Sequence, residues 1–397
     1  MAGIAALALA YVLSQFYRSF LAVLAPALIE DLGATKADLS EASGAWFVAF
    51  ALMQFLVGVS LDRFGPRLTA AVMLGVAGGG GAFLFAAATA PWMITLAMVL
   101  IGIGCAPVLM AAFFIFARAY SPARFALYAS WMVAFGSAGN VIGATPLAAA
   151  GEAFGWRPVM AGLAVITLAV AAFILAVLRD PPRLENEGRS SGFAGYGELM
   201  RMRVLWPIIP LVAINYAATA GIRGLWAGPY LADVYTADAL VIGNVTLAMA
   251  LAMVAGSFAY GPLDRVFGTR KWVAAGGNAI ALGAILWLFL SPAAGLAGVT
   301  VAFVVIGLAG MSYGMLMAHA RAFLPPHLTG RGVTLMNFFS IGGVGLMQFL
   351  TGWVVTASAV PGEPQAAYGA LWLFYAAALG LGLAVYLASR DSRPEPV

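Results

Sequence analysis

Twelve apolar stretches, each long enough to cross a lipid bilayer as a helix, follow one another along this chain and leave little room for anything else. They run over about 4–28, 43–61, 68–89, 92–117, 126–149, 158–178, 205–230, 240–262, 272–291, 295–319, 333–356 and 367–389. A spanning helix needs roughly 20 apolar residues, so twelve use about 240 positions of the 397 present. Inside lipid every backbone N–H and C=O must be satisfied within the segment or in a closed barrel. The expected fold class is therefore all-α integral membrane, twelve transmembrane helices in two six-helix bundles. Only 9% of residues are charged, against roughly 25% in soluble domains, which excludes a soluble globular protein. The longest polar interval, 179–204, separates six stretches from six. It predicts an N-terminal bundle over 1–178, a central loop over 179–204 and a C-terminal bundle with a short tail over 205–397.

Basic residues set the expected orientation, because short loops rich in Lys and Arg stay in the cytoplasm. With the N-terminus inside, 16 of the 20 basic residues fall on one side, from Arg63 and Arg67 through Arg179, Arg201, Arg270 and Lys271 to Arg390 and Arg393. Lys36 and Arg157 fall opposite, and Arg18 and Arg223 fall within spans. Both termini are thus expected in the cytoplasm, the central loop with them. The net charge of +4 then follows from topology and does not argue for nucleic acid. No basic residue precedes Arg18 and no cleavage site leads into a soluble domain, so the first span reads as retained and not as a signal peptide. The lone Cys105 closes no intramolecular disulfide. The run Gly78 to Gly81 suits close approach of membrane helices.

The two halves repeat each other. After the second span the sequence reads Gly58-Val-Ser-Leu-Asp62-Arg63-Phe-Gly65-Pro-Arg67, and after the eighth Gly261-Pro-Leu-Asp264-Arg265-Val-Phe-Gly268-Thr-Arg270-Lys271. Ala117-Arg118-Ala119-Tyr120-Ser-Pro122 after the fourth span is echoed by Ala320-Arg321-Ala322-Phe323-Leu-Pro325 after the tenth. The loop Gly-x3-Asp-Arg-x-Gly-x-Arg, present twice, resembles the signature of the major facilitator superfamily. The likeness covers the whole chain: twelve spans, a 6+6 division, a central loop, and Gly155-Trp156-Arg157 opening the sixth span. It implies two bundles around a central cavity, worked by alternating access. Gly58, Asp62, Arg63, Gly65, Arg67, Asp264, Arg265 and Gly268 are then the candidate gating loops.

Ionisable residues inside spans are costly and are functional candidates by default. None of the 16 acidic residues falls deep in a span, whereas Arg18 and Arg223 do. Tyr11-x2-Ser14-x3-Arg18 in the first span matches Tyr216-x2-Thr219-x3-Arg223 in the seventh, with Gln15 and Asn215 alongside. Spacings of three, four and seven put each set on one helical face. A polar stripe on an apolar membrane helix turns toward water or protein. Guanidinium forks facing a wet cavity suit an oxyanion, so the expected cargo is a small anion. The alternative reading makes these arginines structural, bonded to carbonyls or snorkelling.

Phe16-Tyr17-Arg18-x7-Pro26-Ala-Leu-Ile-Glu-Asp-Leu-Gly33 is similar to the first helix of the organophosphate:phosphate antiporters. In that branch an arginine eight residues before a proline binds the phosphoryl group, and a second arginine in helix 7 completes the site. Arg18 matches that position. Arg223 precedes Pro229 by six residues and not eight, a departure that rotates it off the family's face. The loop Leu61 to Arg67 also looks like those of monocarboxylate and oxalate carriers, which leaves phosphate and carboxylate both open. Without an intramembrane carboxylate, exchange or uniport is favoured over proton coupling, for which Glu41 or His319 remain the carriers to consider.

Other signals are weaker. Met311-x3-Met315-x3-His319 and Met249-x3-Met253 resemble pairs in copper-importing facilitators, but methionine is also an ordinary packing residue. Among the aromatics Trp226 and Tyr313 are candidate lining residues, ahead of Trp131 and Tyr230. No Walker, metal-ligand or hydrolytic motif occurs, so no enzyme, cofactor or resident metal is expected. The rival functions are a proton-coupled exporter of neutral or cationic compounds, a copper importer, and a non-transporting assembly protein. A monomer in a bacterial inner membrane is the expected setting, with lipid and a small anion as its only partners.

Overall fold

The computed structural model describes residues 2–119, 128, 131–133, 135–181, 194–292, 294–325 and 329–392. The Asp62 side chain, the loop residues 182–193, the stretch 120–127 and His327 lie outside the described residues. Among the described residues the chain is helical, with one isolated bridge between Val360 and Glu363. Two compact units divide it, Met1–Arg189 with Ala237–Asn244, and Ser190–Thr236 with Val245–Val397.

Ten helices are long and apolar enough to cross a membrane: Lys36–Leu61, Arg63–Ala86, Pro91–Phe116, Trp131–Phe154, Trp156–Val177, Ala239–Phe267, Lys271–Leu290, Leu296–Arg321, Leu335–Ala357 and Pro364–Leu387. An eleventh is counted if Ala2–Phe16 and Leu21–Leu32, bent by 52°, form one span. These are spans 2–6, 8–12 and 1 of the sequence. Span 7 is not among them. It runs as Ile209–Gly221, a π-helical turn Ile222–Trp226, and Ala227–Tyr235, and its Asn215, Tyr216, Thr219 and Arg223 dilute its apolar character. The expected twelve therefore appear as ten or eleven by length and hydropathy.

Three boundaries differ from the sequence expectation for local reasons. Span 2 starts at Lys36, not at 43, because Thr35 and Asp38 form a capping box: the Thr35 hydroxyl accepts from the Asp38 N–H (3.1 Å) and the Asp38 carboxylate from the Thr35 N–H (2.7 Å). That reciprocal pair satisfies the first orphan donors and carries a polar first turn into the helix. Span 1 is not one rod but breaks over 17–20. Within the expected central loop, Ala194–Arg201 forms a short helix.

Small residues set the helix spacing, as packing in lipid requires. A Cβ on Gly104 of span 4 would land on the backbone of Gly78 in span 3, and one on Gly81 would meet Leu100, Ala97 and Ile101 of span 4. Gly136 and Gly139 let span 5 lie against Tyr11, Val12 and Phe16 of span 1. Around these contacts aromatic rings fill the first unit, from Phe16, Tyr17 and Phe20 through Phe85 (5.3 Å from Phe20) to Trp156 (5.9 Å from Phe85). Tyr230, Phe303, Tyr368 and Trp372 do the same in the second.

Candidate functional site

The residues expected to bind cargo fall into two groups, one in each unit. In the first, the helix ends at Phe16 and Arg18 sits in the turn that follows, its N–H bonded back to the Gln15 carbonyl (3.4 Å). The helical stripe of Tyr11 and Ser14 is thus interrupted before it reaches Arg18. The half-exposed guanidinium lies 4.8 Å from the Phe50 ring centre and 5.5 Å from that of Trp46, two rings stacked on each other at 5.1 Å. Its Nε has no hydrogen-bond partner and it makes no salt bridge among the described residues. Gln15 donates to the Tyr11 hydroxyl (3.2 Å), and Ser14 is buried beside Cys105.

In the second unit Arg223 is 3% exposed and lies on the π turn. One residue per turn is added there relative to an α-helix, which moves Arg223 off the line of Tyr216 and Thr219. Such single π turns frequently occur at functional sites. Tyr216 and Tyr313 face each other at 6.1 Å, and the Tyr313 hydroxyl donates to Asn337 (2.8 Å). Thr219 is buried where a Cβ on Gly310 would strike it, and Trp226 donates to Thr351 (2.9 Å) inside the bundle. Asn215 serves packing: its amide reaches Asn278 (2.8 Å), Ser312 (3.0 Å) and the Gly310 carbonyl (3.1 Å).

The repeated loops are built alike. Gly65 takes φ 83°, ψ 163°, and Gly268 φ 67°. Beyond Gly65, the Arg67 N–H donates to Asp180 (2.8 Å) while the Arg67 Nε donates to the Leu175 carbonyl (2.8 Å). Beyond Gly268, the Lys271 N–H donates to Asp391 (3.0 Å) while Lys271 Nζ donates to the carbonyls of Leu387 (2.6 Å) and Ser389 (2.8 Å). In both units a carboxylate from the end of the last span caps the start of the third, and a cation returns to the end of the last. Each charge meets the helix terminus of opposite sign. Arg270 instead pairs with Asp264 (3.2 Å). Arg63 and Arg265 are exposed, Arg63 with its guanidinium 5.3 Å from the Phe64 ring, and Gly58 has open space around it.

Asp180 and Asp391 escaped the sequence reading. Their signal was present: Arg179-Asp180 after span 6 recurs as Arg390-Asp391 after span 12. Burial alone would raise the Asp391 carboxyl. The Thr269 hydroxyl and the N–H groups of Lys271 and Ser392 outweigh that and hold it below the usual carboxylate range. His319 is fully buried, with Nδ1 2.7 Å from the Tyr386 hydroxyl and Nε2 2.8 Å from the Arg390 carbonyl.

Solved transporter structures share this fold end to end. A bacterial homologue of the human lysosomal transporter Spinster, inward-facing and occupied, superposes with a TM-score of 0.77 at 21% identity, covering 99% of this chain and 98% of its own. The nucleoside transporter NupG, in a point-mutant form, gives 0.78 at 14% identity, with 98% and 100% covered. The inward-open xylose transporter XylE from E. coli gives 0.71 at 14%, with 98% and 96% covered. At such identities the likeness is one of fold. No curated protein matches the chain by sequence. The sequence pattern described as Major Facilitator Superfamily matches residues 7–225, more than half of the 397. This chain, a membrane transporter and not an enzyme, belongs to that superfamily.

Proposed function

We propose that the protein is a secondary carrier of a small anion, an organic phosphate, phosphate or carboxylate, held at Arg18 and moved by exchange or uniport with alternating access. The observation that carries this reading is Arg18 itself. A guanidinium at a helix break inside the membrane, backed by two stacked rings and with no carboxylate partner among the described residues, requires a counter-charge. A bound anion supplies it, and the rings hold the fork in one plane. In the second unit Arg223 is a candidate anion contact in its own right, with Tyr216 and Tyr313 as the aromatic surface of that helix; Tyr11, Ser14 and Gln15 support Arg18 in the first. Thr219 and Trp226 act by holding span 7 in place. The loops at Gly58–Arg67 and Asp264–Gly268 serve as gates, both termini are cytoplasmic, and the carrier is a monomer of a bacterial inner membrane.

A copper role for Met311, Met315 and His319 is disfavoured because both imidazole nitrogens are committed to Tyr386 and Arg390.

Thermal unfolding of the purified protein tests the reading, run against phosphate, phosphorylated metabolites, mono- and dicarboxylates and nitrate, with Arg18→Gln alongside. A ligand at 100 times its Kd stabilises the native state by about 2.7 kcal/mol. One anion class shifts the wild type and not Arg18→Gln. Equal shifts in both proteins, or none with any anion, sink the anion assignment and favour an exporter of neutral or cationic compounds.

A further inference from the structure

A cavity of about 730 Å³ opens in the second unit, at the end opposite the Gly268 loop. Val234 at the end of span 7, Phe289 and Pro292 beyond span 9, and the start of span 12 from Gly362 to Leu373 enclose it. Its width comes from small side chains. Ala366, Gly369 and Ala370 share the face of span 12 that looks on it, and the Cβ position of Gly369 has nothing within 4 Å. Beneath lie Tyr230, Tyr368 and Trp372, with Tyr230 packed on the other two at 5.1 and 5.0 Å and none more than 3% exposed. To the side, Leu373 on the cavity wall and Leu290 and Val360 near it are large apolar residues left exposed, as on a helix face that meets acyl chains.

The first unit closes the corresponding end with a cation of its own. Arg157 stands over the Trp156 ring (4.2 Å) and pairs with Asp31 (2.9 Å). Aligned on Arg179-Asp180 and Arg390-Asp391, the position of Arg157 is taken in the second unit by Tyr368, whose hydroxyl donates to Asp233 (2.6 Å). A guanidinium has become a neutral phenol, and the cavity opens at the next residue, Gly369. No Lys or Arg occurs in 227–236, 289–298 or 355–370, the three segments at this end, whereas Asp233 and Glu363 do. Glu363 is exposed on the cavity wall beside Gln365, and although it stands directly before span 12 its side chain caps none of that helix's N–H groups.

A carboxylate whose surrounding segments carry no basic residue attracts a cation and repels an anion. The floor rings are covered, so a quaternary ammonium finds no aromatic cage. A primary ammonium, with three donors, finds the Glu363 carboxylate and the Gln365 carbonyl. The open apolar side suits a hydrocarbon chain. We propose that this cavity binds a phospholipid with a primary-ammonium headgroup, phosphatidylethanolamine, its ammonium on Glu363 and one acyl chain along Leu373. Its phosphate meets the positive N-terminal end of span 12. The orientation expected from the basic residues puts this lipid in the outer leaflet. The inference is independent of what the protein carries and of Arg18.

The test is native mass spectrometry of the full-length protein in detergent micelles, titrated in turn with phosphatidylethanolamine, phosphatidylcholine and phosphatidylglycerol of matched chains. One ethanolamine lipid is expected to stay bound per chain, with the other two held about fivefold more weakly, the weight of one exposed ion pair. Glu363→Gln, at an exposed position, removes that preference. Gly369→Leu fills the cavity from a position with free space and removes the bound lipid. Unfolding midpoints without added lipid report that both variants are folded. Phosphoethanolamine, the headgroup without chains, does not compete. Equal retention of the three lipids, a preference for the glycerol lipid, or a preference that survives Glu363→Gln overturns the proposal. So does phosphoethanolamine binding as tightly as the lipid, which makes the site one for a soluble amine.

Discussion

Gly65 answers two demands at one position. Its φ of 83° and ψ of 163° belong to a region that side chains rarely enter, and a Cβ there would stand 2.7 Å from the Asp180 carboxyl. Gly268 has only the first demand, with nothing within 4 Å of its Cβ position. Gly65→Ala is therefore expected to cost about 2–3 kcal/mol, and Gly268→Ala about 1 kcal/mol. Unfolding midpoints in one detergent compare them, and equal losses would mean that Asp180 moves aside freely. Both glycines were legible in the sequence through the repeat. Asp180 and Asp391 were not, because they stand 113 and 120 residues from the N–H groups they cap. Spacing along a chain does not reveal such a contact; only the recurrence of Arg-Asp pointed to it. At the candidate site the reading singled out Arg18 and Arg223 by their cost in lipid. It placed Tyr216 in the stripe and Asn215 only beside it, and Asn215 packs, bonded to Asn278, Ser312 and the Gly310 carbonyl.

At the scale of elements, hydrophobic length located the spans but not their irregularities. A π turn adds one residue without changing average hydropathy, so Ile222–Trp226 and Met73–Gly79 left no mark on the pattern. The break at 17–20 was equally silent, since Phe16 to Phe20 reads as part of a continuous apolar run around Arg18 and Ser19. Glycine was more informative than periodicity, and its placement can be tested. Gly104→Ala pushes a methyl onto the Gly78 backbone, which cannot rotate away, and should cost about 1–3 kcal/mol by overpacking. Gly80, one of the same glycine run, has open space at its Cβ. There alanine should be neutral or gain up to about 1 kcal/mol from helix propensity. If thermal unfolding ranks the two the other way, spans 3 and 4 do not meet at Gly78 and Gly104.

For the molecule as a whole, the distribution of basic residues carries an expectation about orientation. It predicts that a protease site added at the C-terminus is cut in inside-out vesicles and protected in intact cells. Cleavage in intact cells would reverse the orientation. Each unit also repeats a tie at its other end. The Asp31 carboxylate accepts from Trp156 (2.8 Å) and Arg157 (2.9 Å) in the first, and Asp233 accepts from the Tyr368 hydroxyl (2.6 Å) in the second. Span 6 or 12 is thus anchored at both ends by carboxylates, one donated to it and one donated by it. The order of synthesis gives this arrangement a further meaning. While the chain is being made, the third helix of each bundle enters the membrane with its first N–H groups unserved, and the carboxylate that serves them arrives more than a hundred residues later. Each bundle therefore carries its own seal of completion, which closes only once its last helix is in place.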